Sequence, residues 1–296
     1  MVLKQLPTCS PKGVAAHAAI GGWGGSIWFS SNVATSENRT AFVKTVADFA
    51  DKYSLDGISF EYAFLFFKLT RAECALSSWE YPNLQGIGCN TINADDTQNL
   101  LSFLQELRKD PVGGKLTLTA STGVTPFRDA SGSPSKDVSG FAKVLNYISI
   151  MNYDVWGSWS SGVGPNAPLN DTCAAPANQV GSAVSAVKAW TAAGMPANQI
   201  VLGVPSYGHS FSVSPEDAFV EGSETELAAY PKFNAAKQPL GDAWDDTGST
   251  NACGVYQGPG GTFNLWGLVD GGFLTTKGNP AQGIYYRYDA CSQTVE

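Results

Sequence analysis

Short apolar segments alternate with longer amphipathic segments from near the N-terminus to about residue 204. An apolar run of strand length followed by a helical pattern is typical of the βα units that build a parallel sheet. The predicted strands are residues 14–20, 55–60, 115–121, 147–153 and 200–204. The predicted helices are residues 37–53, 95–110, 138–145 and 179–193. This part of the chain is therefore predicted to be an α/β domain.

The first two predicted helices have the clearest apolar faces. In both, apolar residues recur every three or four positions, which places them on one side of a helix. They are Phe42, Val43, Val46, Phe49 and Ala50 in the first helix and Leu100, Leu101, Leu104 and Leu107 in the second. Asp95 and Asp96 supply the cap of the second helix, and Pro111 prevents its continuation.

The pattern changes after residue 207. From about Gly208 to Ala290 the chain is rich in Gly, Pro, Asn and aromatic residues and shows little helical periodicity. We therefore predict two domains: a partial (β/α) barrel catalytic domain at residues 1–207 and a small α+β insertion subdomain at residues 208–291.

Composition limits the kinds of partner. The formal net charge is −8, which disfavours nucleic acid and anionic membrane surfaces because both require a basic protein face. No stretch of the sequence is long and apolar enough to predict a membrane span. With only His17 and His209 in the chain and no CxxC pattern, we expect no metal and no cofactor.

The six cysteines are dispersed, and two N-glycosylation sequons occur at Asn38 and Asn170. Both features favour a secreted protein. The N-terminal residues MVLKQLPTCSPKG contain no apolar core of the kind found in a signal peptide. The expectation is an extracellular protein whose export signal is missing from this chain. Which cysteines pair is left open.

Five motifs stand in order at or near the predicted strand ends. They are Gly21-Gly22-Trp23, Asp56-Gly57-Ile58-Ser59-Phe60, Trp79-Glu80-Tyr81-Pro82, Met151-Asn152-Tyr153-Asp154 and Gly203-Val204-Pro205-Ser206-Tyr207-Gly208. This series resembles the successive strand-end motifs of the family 18 glycoside hydrolases, especially the fungal chitinases, and it covers nearly the whole chain. The resemblance implies a (β/α)8 TIM barrel, with the active site at the carboxyl ends of the strands.

The resemblance also implies strands that this chain does not supply. The family barrel has two strands before the one that ends at Gly21-Gly22-Trp23, and an eighth strand after the insertion subdomain. We therefore expect a chain truncated at both ends, with about five of the eight strands present. Such a chain is expected to be poorly stable and inactive.

The family that this chain resembles has the catalytic motif DxxDxDxE. In this chain the motif begins at Asp56 and is then interrupted. Ser59 replaces the first inner aspartate, Glu61 stands at the second, and the ending of the motif reappears only at Trp79-Glu80. We interpret residues 62–78, seventeen in number, as a foreign insertion that derives from an unspliced intron. A GAG codon for Glu61 and an AGT codon for Ser78 would supply the two splice sites, and joining them would restore an aspartate at position 61. A true surface insertion or an inactive homologue is the alternative.

The resemblance assigns roles to several residues. Family 18 enzymes are retaining but use the substrate's own N-acetyl group as the nucleophile. Glu80 would be the general acid, and the carboxylate at position 61 would orient the acetamido group. Tyr153 would bind the acetamido oxygen and Asp154 the sugar hydroxyls. The expected substrate contacts are Trp23, Tyr81, Met151, Trp156 and Tyr207. His209 is interpreted as a loop histidine without a catalytic role.

The predicted function is hydrolysis of chitin or chito-oligosaccharides by a secreted monomer that binds neither nucleic acid nor membranes. Three alternatives remain. A non-catalytic chitin-binding lectin on the same scaffold is favoured by the loss of the glutamate beside Phe60. An endo-N-acetylglucosaminidase would share the mechanism and act on glycoproteins. A generic α/β enzyme with chance motifs ranks last, because neither GxGxxG nor a P-loop is present.

Overall fold

The computed structural model describes residues 13–22, 25–61, 82–83 and 88–295, without the side chain of Glu61. The chain divides into two compact units, one formed by Met1–Met151 with Val187–Leu202 and the other by Asn152–Ala186 with Gly203–Glu296. The predicted domain boundary at residue 207 stays a prediction.

The first unit contains a five-stranded sheet with the order β1-β2-β3-β4-β5. Its strands are β1 (His17–Gly21), β2 (Gly57–Glu61), β3 (Thr117–Thr122), β4 (Tyr147–Ile150) and β5 (Ile200–Leu202). Every neighbouring pair is parallel, and each strand lies beside the strand that precedes it in sequence. All five predicted strands are confirmed, and the sheet is the one expected from successive βα units.

The helices associated with this sheet are α1 (Phe29–Ala34), α2 (Ser36–Lys52), α3 (Asp96–Leu107), α4 (Ser139–Ala142) and α5 (Ala183–Ala192). Thr35 caps α2, because its hydroxyl accepts a hydrogen bond from the Asn38 N–H at 3.2 Å. The predictions of α2 and α3 are confirmed. The helix predicted at residues 138–145 has only four residues, and α1 was not predicted.

Phe103 of α3 lies at the centre of the apolar core. It is fully buried, and its ring stacks on Phe42 of α2 at 4.8 Å and meets Phe60 of β2 edge-on at 5.6 Å. Ile58 and Phe60 alternate with Ser59 along β2, and both are buried on the helix-covered side of the sheet. The helices are therefore attached to the strand that carries the interrupted motif.

Ser59 belongs to a polar row on the opposite side of the sheet. It pairs with Ala19 and Thr119, and Thr119 pairs in turn with Tyr147. Gly57 lies in the same strand, and a side chain there would collide with the imidazole of His17 and the carbonyl of Thr117. The row thus contains two hydroxyl groups and a phenol, and it crosses the middle of β1 and β2 and the first residue of β4.

The second unit contains short elements. They are the strands β6 (Tyr207–His209), β7 (Ser249–Thr250), β8 (Tyr256–Gln257), β9 (Thr262–Asn264), β10 (Tyr288–Asp289) and β11 (Thr294–Val295) and the helices α6 (Pro215–Ala218) and α7 (Leu265–Asp270). The strands pair antiparallel in three two-stranded sheets. A disulfide joins Cys173 to Cys291. The short helices and antiparallel pairs agree with the α+β character predicted for residues 208–290.

Candidate active site

Asp154 is the centre of a cluster of polar side chains in the second unit. Its Oδ1 accepts a hydrogen bond from the hydroxyl of Tyr207 at 2.8 Å, and the Nε2 of His209 lies 2.7 Å from the same oxygen. An ionised carboxylate can only accept, so Nε2 carries the proton of this contact. Among the described residues, no hydrogen bond is made to Oδ2. The carboxylate is therefore held through one oxygen while the other can accept from a ligand.

The cluster is partly removed from water. The side chains of His209 and Asp154 are 11% and 23% exposed. Burial raises the pKa of Tyr207 far above its usual range, and the negative charge of Asp154 and the hydrogen bond to it raise that pKa further. Tyr207 consequently remains a protonated donor to the carboxylate at any physiological pH.

Asn166 connects the two chain segments that form the cluster. Its side-chain oxygen accepts from the N–H of Asp154 at 2.8 Å, and its amide donates to the carbonyl of Tyr207 at 2.8 Å. Asp154 needs this support because its φ is 54°, in the left-handed region that aspartate adopts more readily than most residues. β4 ends at Ile150 rather than at Tyr153 as predicted, so Asp154 lies four residues beyond the strand.

Two tryptophans near the cluster differ in exposure. Trp156 is 3% exposed, and its ring packs on Tyr230 at 5.3 Å. Trp159 is 63% exposed and lies edge-on to His209 at 5.5 Å. A Cβ atom at residue 157 would lie 2.3 Å from the ring of Trp159, so a larger residue there would displace the indole from this position. Trp159 thus presents an open indole surface beside the histidine of the cluster, and such surfaces suit stacking on the apolar face of a sugar.

A family model for the glycosyl hydrolases of family 18 matches residues 3–288. The chain belongs to glycosyl hydrolase family 18. Membership in family 18, predicted from the five motifs, is confirmed, and the five parallel strands form part of the expected (β/α)8 barrel.

Relatives in family 18 include fungal and bacterial proteins. The chain is 55% identical over 282 residues to a chitinase-like effector of Moniliophthora roreri, covering 95% of this chain and 64% of that protein. It is 31% identical over 220 residues to chitinase A1 of Niallia circulans, covering 71% of this chain and 28% of that protein. A crystal structure of a chitinase from Rhizomucor miehei gives a TM-score of 0.80 at 28% identity, covering 99% of this chain and 72% of that one. The chain thus spans less than two thirds of both curated relatives.

The structure describes some of the site residues predicted from the family 18 resemblance. Trp23, Glu80, Tyr81 and residues 62–78 lie outside the described residues. Glu61 is the last residue of β2 and pairs with Gly21, but its side chain is not described.

Of the remaining predicted residues, Tyr153, Asp154 and Tyr207 come together: the rings of Tyr153 and Tyr207 are 6.3 Å apart, and Tyr207 binds Asp154. Met151 and Trp156 are buried, at 5% and 3% exposure. Both stay predictions as substrate contacts, although little of either side chain is accessible.

Sequence reasoning missed His209, Asn166 and Trp159. His209 follows Tyr207 by two positions in β6, and side chains two apart in a strand share a face, so the Tyr-Gly-His spacing was a usable signal. No comparable signal marks Asn166, which reaches the cluster from a loop without regular structure. For Trp159, the sequence offered two nearby tryptophans and no means to decide which of them is exposed.

Proposed function

We propose that this chain is an extracellular, monomeric family 18 protein that binds chito-oligosaccharides and whose uninterrupted form hydrolyses chitin. Hydrolysis would follow the substrate-assisted route, in which the N-acetyl carbonyl of the sugar attacks its own anomeric carbon. Glu80 would donate the proton to the glycosidic oxygen, and an aspartate at position 61 would orient the acetamido N–H.

The observation that carries this proposal is the Asp154 cluster. A half-buried carboxylate fixed by Tyr207 and His209 through Oδ1 has its second oxygen available for an N–H or O–H of the ligand. Ligand hydrogen bonds to a charged group are stronger than those to a neutral group, and a prepositioned acceptor loses little entropy when it binds. Tyr153 is adjacent and supplies a phenol for the acetamido oxygen.

Trp159 is proposed as the aromatic contact to a sugar ring, a role that was predicted for Trp156. It has the open ring face that Trp156 lacks, and a flat indole beside a fixed carboxylate is suited to a pyranose, which has one apolar face and a rim of hydroxyls.

The chain of 296 residues is proposed to be inactive because residues 62–78 separate Glu80 from β2. Acid catalysis depends on the position of the acid, and a displacement of about 1 Å costs up to 10²-fold in rate. Removal of the segment, with aspartate at position 61, is expected to join Phe60 and Glu80 within one strand.

A second candidate function, chitin binding without hydrolysis, is favoured by two observations. The Moniliophthora roreri relative is named a chitinase-like effector rather than a chitinase. Ser59 also replaces an aspartate of the catalytic motif. In this alternative the Asp154 cluster keeps its binding role, whereas Glu80 has no catalytic role even after residues 62–78 are removed.

The test compares the complete chain with a variant that lacks residues 62–78 and carries Glu61→Asp. We expect both to bind chitotetraose and only the variant to release soluble sugars from chitin. Adding Glu80→Gln to the variant should lower the rate by about 10²–10⁴-fold. An active complete chain, or an unchanged rate after Glu80→Gln, would refute the catalytic proposal. Binding without hydrolysis by both proteins would favour the second candidate.

The binding role of the cluster is tested separately in the complete chain. Asp154→Asn should weaken chitotetraose binding by about tenfold, because a neutral amide replaces the charged acceptor. Asp270→Asn, an exposed carboxylate at the end of α7, is the matched control and should bind normally. Equal affinity of the Asp154 variant and the control would remove the cluster from the proposed site.

A further inference from the structure

The two N-glycosylation sequons lie in different surroundings. Asn38 is in the first turn of α2, and its side-chain amide donates to the carbonyl of Ser31 at 2.8 Å. The hydroxyl of Thr40, the third residue of that sequon, donates to Glu106 at 2.5 Å. The asparagine amide and the threonine hydroxyl of this sequon are both engaged with other parts of the fold.

Asn170 lies in a loop, and within the described part of the chain its side-chain oxygen Oδ1 is hydrogen-bonded by the third residue of the same sequon. That oxygen accepts from the N–H of Thr172 at 3.2 Å and from the hydroxyl of Thr172 at 3.1 Å. The amide nitrogen Nδ2, the atom that would carry a glycan, has one hydrogen-bond acceptor among the described residues, the sulfur of Cys173 at 3.9 Å. A substituent on Nδ2 would therefore displace no nitrogen or oxygen partner in that part of the chain.

The middle residue of this sequon fixes the loop. Asp171 is buried, and its carboxylate accepts from the N–H of Gly181 at 3.0 Å and from the hydroxyl of Ser182 at 2.7 Å. Asp171 points inward, and the residue that follows it, Thr172, is exposed to solvent. The sequon is thus presented from a loop whose position is set by a buried side chain.

Asn170 also lies against the disulfide between Cys173 and Cys291. Besides the contact of Nδ2 with Cys173, the carbonyl oxygen of Asn170 is 3.9 Å from the sulfur of Cys291. One residue therefore touches both sulfur atoms, one through its side chain and the other through its backbone. A bulky, hydrated group on that side chain would restrict the approach of a thiolate, and thiol–disulfide exchange depends on such access.

We propose that Asn170 is an N-glycosylation site and that its glycan shields the Cys173–Cys291 disulfide from reduction. In the modification, the amide nitrogen of Asn170 forms a bond to C1 of an oligosaccharide carried by a polyprenyl diphosphate. The bond from C1 to the diphosphate breaks, the amide loses one proton, and the lipid diphosphate leaves. The proposal requires passage through the secretory pathway and does not depend on the proposed hydrolysis.

The first experiment expresses the complete chain through the secretory pathway of a eukaryotic host and measures its intact mass before and after peptide-N-glycosidase treatment. We expect a glycan that is lost in Asn170→Gln and Thr172→Ala and kept in Thr172→Ser and Asn38→Gln. A glycan that persists in Asn170→Gln and disappears in Asn38→Gln, or no glycan at all on the secreted protein, would overturn the proposal.

The second experiment measures the rate at which dithiothreitol reduces the Cys173–Cys291 bond, followed by peptide mapping with alkylation. Reduction should be about threefold slower in the glycosylated protein than in Asn170→Gln, because access of the thiolate is restricted. Enzymatic removal of the glycan leaves aspartate at residue 170, so Asn170→Asp is the control for the added charge. Equal rates in the glycosylated protein and both variants would refute the shielding role and leave the modification site to the first experiment.

Discussion

The parallel-sheet unit and the second unit bury very different amounts of apolar side chain. Nearly all buried apolar residues of the described chain belong to the sheet unit, whereas the second unit contributes Trp156, Ala183 and Ala186. In place of an apolar core the second unit uses carboxylates that accept backbone N–H groups. Asp245 accepts from Gly241 and Gly261 at 2.9 Å and from Thr262 at 3.0 Å.

This difference shows how the Asp154 cluster is supported. Packing of apolar side chains is non-directional, so it stabilises a fold without fixing single polar atoms. Hydrogen bonds that several backbone N–H groups donate to one carboxylate are directional, so they fix the loops that carry those groups. The Asp154 cluster is also held by directional hydrogen bonds: its carboxylate accepts from the Tyr207 hydroxyl, and Asn166 accepts from the backbone N–H of Asp154.

The largest expected effect comes from the centre of the apolar core. Phe103→Ala removes a fully buried ring that contacts Phe42 and Phe60, and it should lower the free energy of unfolding by about 3–5 kcal/mol. Urea titration followed by circular dichroism measures this change. Phe103→Leu is the matched control and should cost about 1.5 kcal/mol because most of the volume is kept. A similar small loss for both variants would contradict a tightly packed core at this position.

The second expected effect tests the polar support of the second unit. Asp245→Asn replaces one carboxylate oxygen with an NH₂ group that faces backbone N–H donors, and it should cost about 2 kcal/mol in the free energy of unfolding. Asp270→Asn, which changes the charge equally at an exposed position, should change it by less than about 0.5 kcal/mol. If both substitutions had the same effect, net charge rather than these hydrogen bonds would account for the loss.

Sequence reasoning worked best where periodicity reports burial. The apolar face of α2 and α3 was visible because a helix buries every third or fourth residue, and the five strands were visible as apolar runs between helices. Strand ends were less accurate, since β4 stops at Ile150 rather than at Tyr153, and no residue pattern marked this end. The length of α4 was overestimated because its flanking apolar residues Val138, Val144 and Leu145 are buried although they lie outside the helix.

The candidate site was predictable only in part. The Met-Asn-Tyr-Asp and Ser-Tyr-Gly motifs led to Asp154 and Tyr207, which the structure brings together. Asn166 was not found, because its role depends on a loop that returns to the cluster, and contacts between loops leave no periodic signal. The exposure of Trp159 and the burial of Trp156 are likewise tertiary properties that neighbouring sequence does not encode.

The smallest expected effect concerns Asp96, a buried carboxylate in the sheet unit. Its Oδ2 accepts from the N–H of Asn93 at 2.8 Å, and Oδ1 has no hydrogen-bond partner of normal geometry among the described residues. Burial raises the pKa of Asp96 above its ordinary value of 3.8, and this outweighs the hydroxyl of Ser30 and the backbone of Asn93 and Asn83, which lower it. The sheet unit, whose core is otherwise apolar, therefore contains a buried carboxylate, Asp96, whose ionisation destabilises the folded state.

The sign of the pH dependence follows from that raised pKa. Protonated Asp96 favours the folded state, so its contribution is present below the ordinary pKa of 3.8 and is lost as the pH rises through the higher folded value. Asp96→Asn removes the ionisation, so the stability of this variant relative to the parent should be greater at pH 7, where the parent carries the buried charge, than at pH 4. Urea titrations of both proteins at the two pH values give this difference. Asp95→Asn removes an exposed neighbouring charge; an equal pH dependence in that variant, or none in Asp96→Asn, would show that burial of Asp96 does not oppose its ionisation.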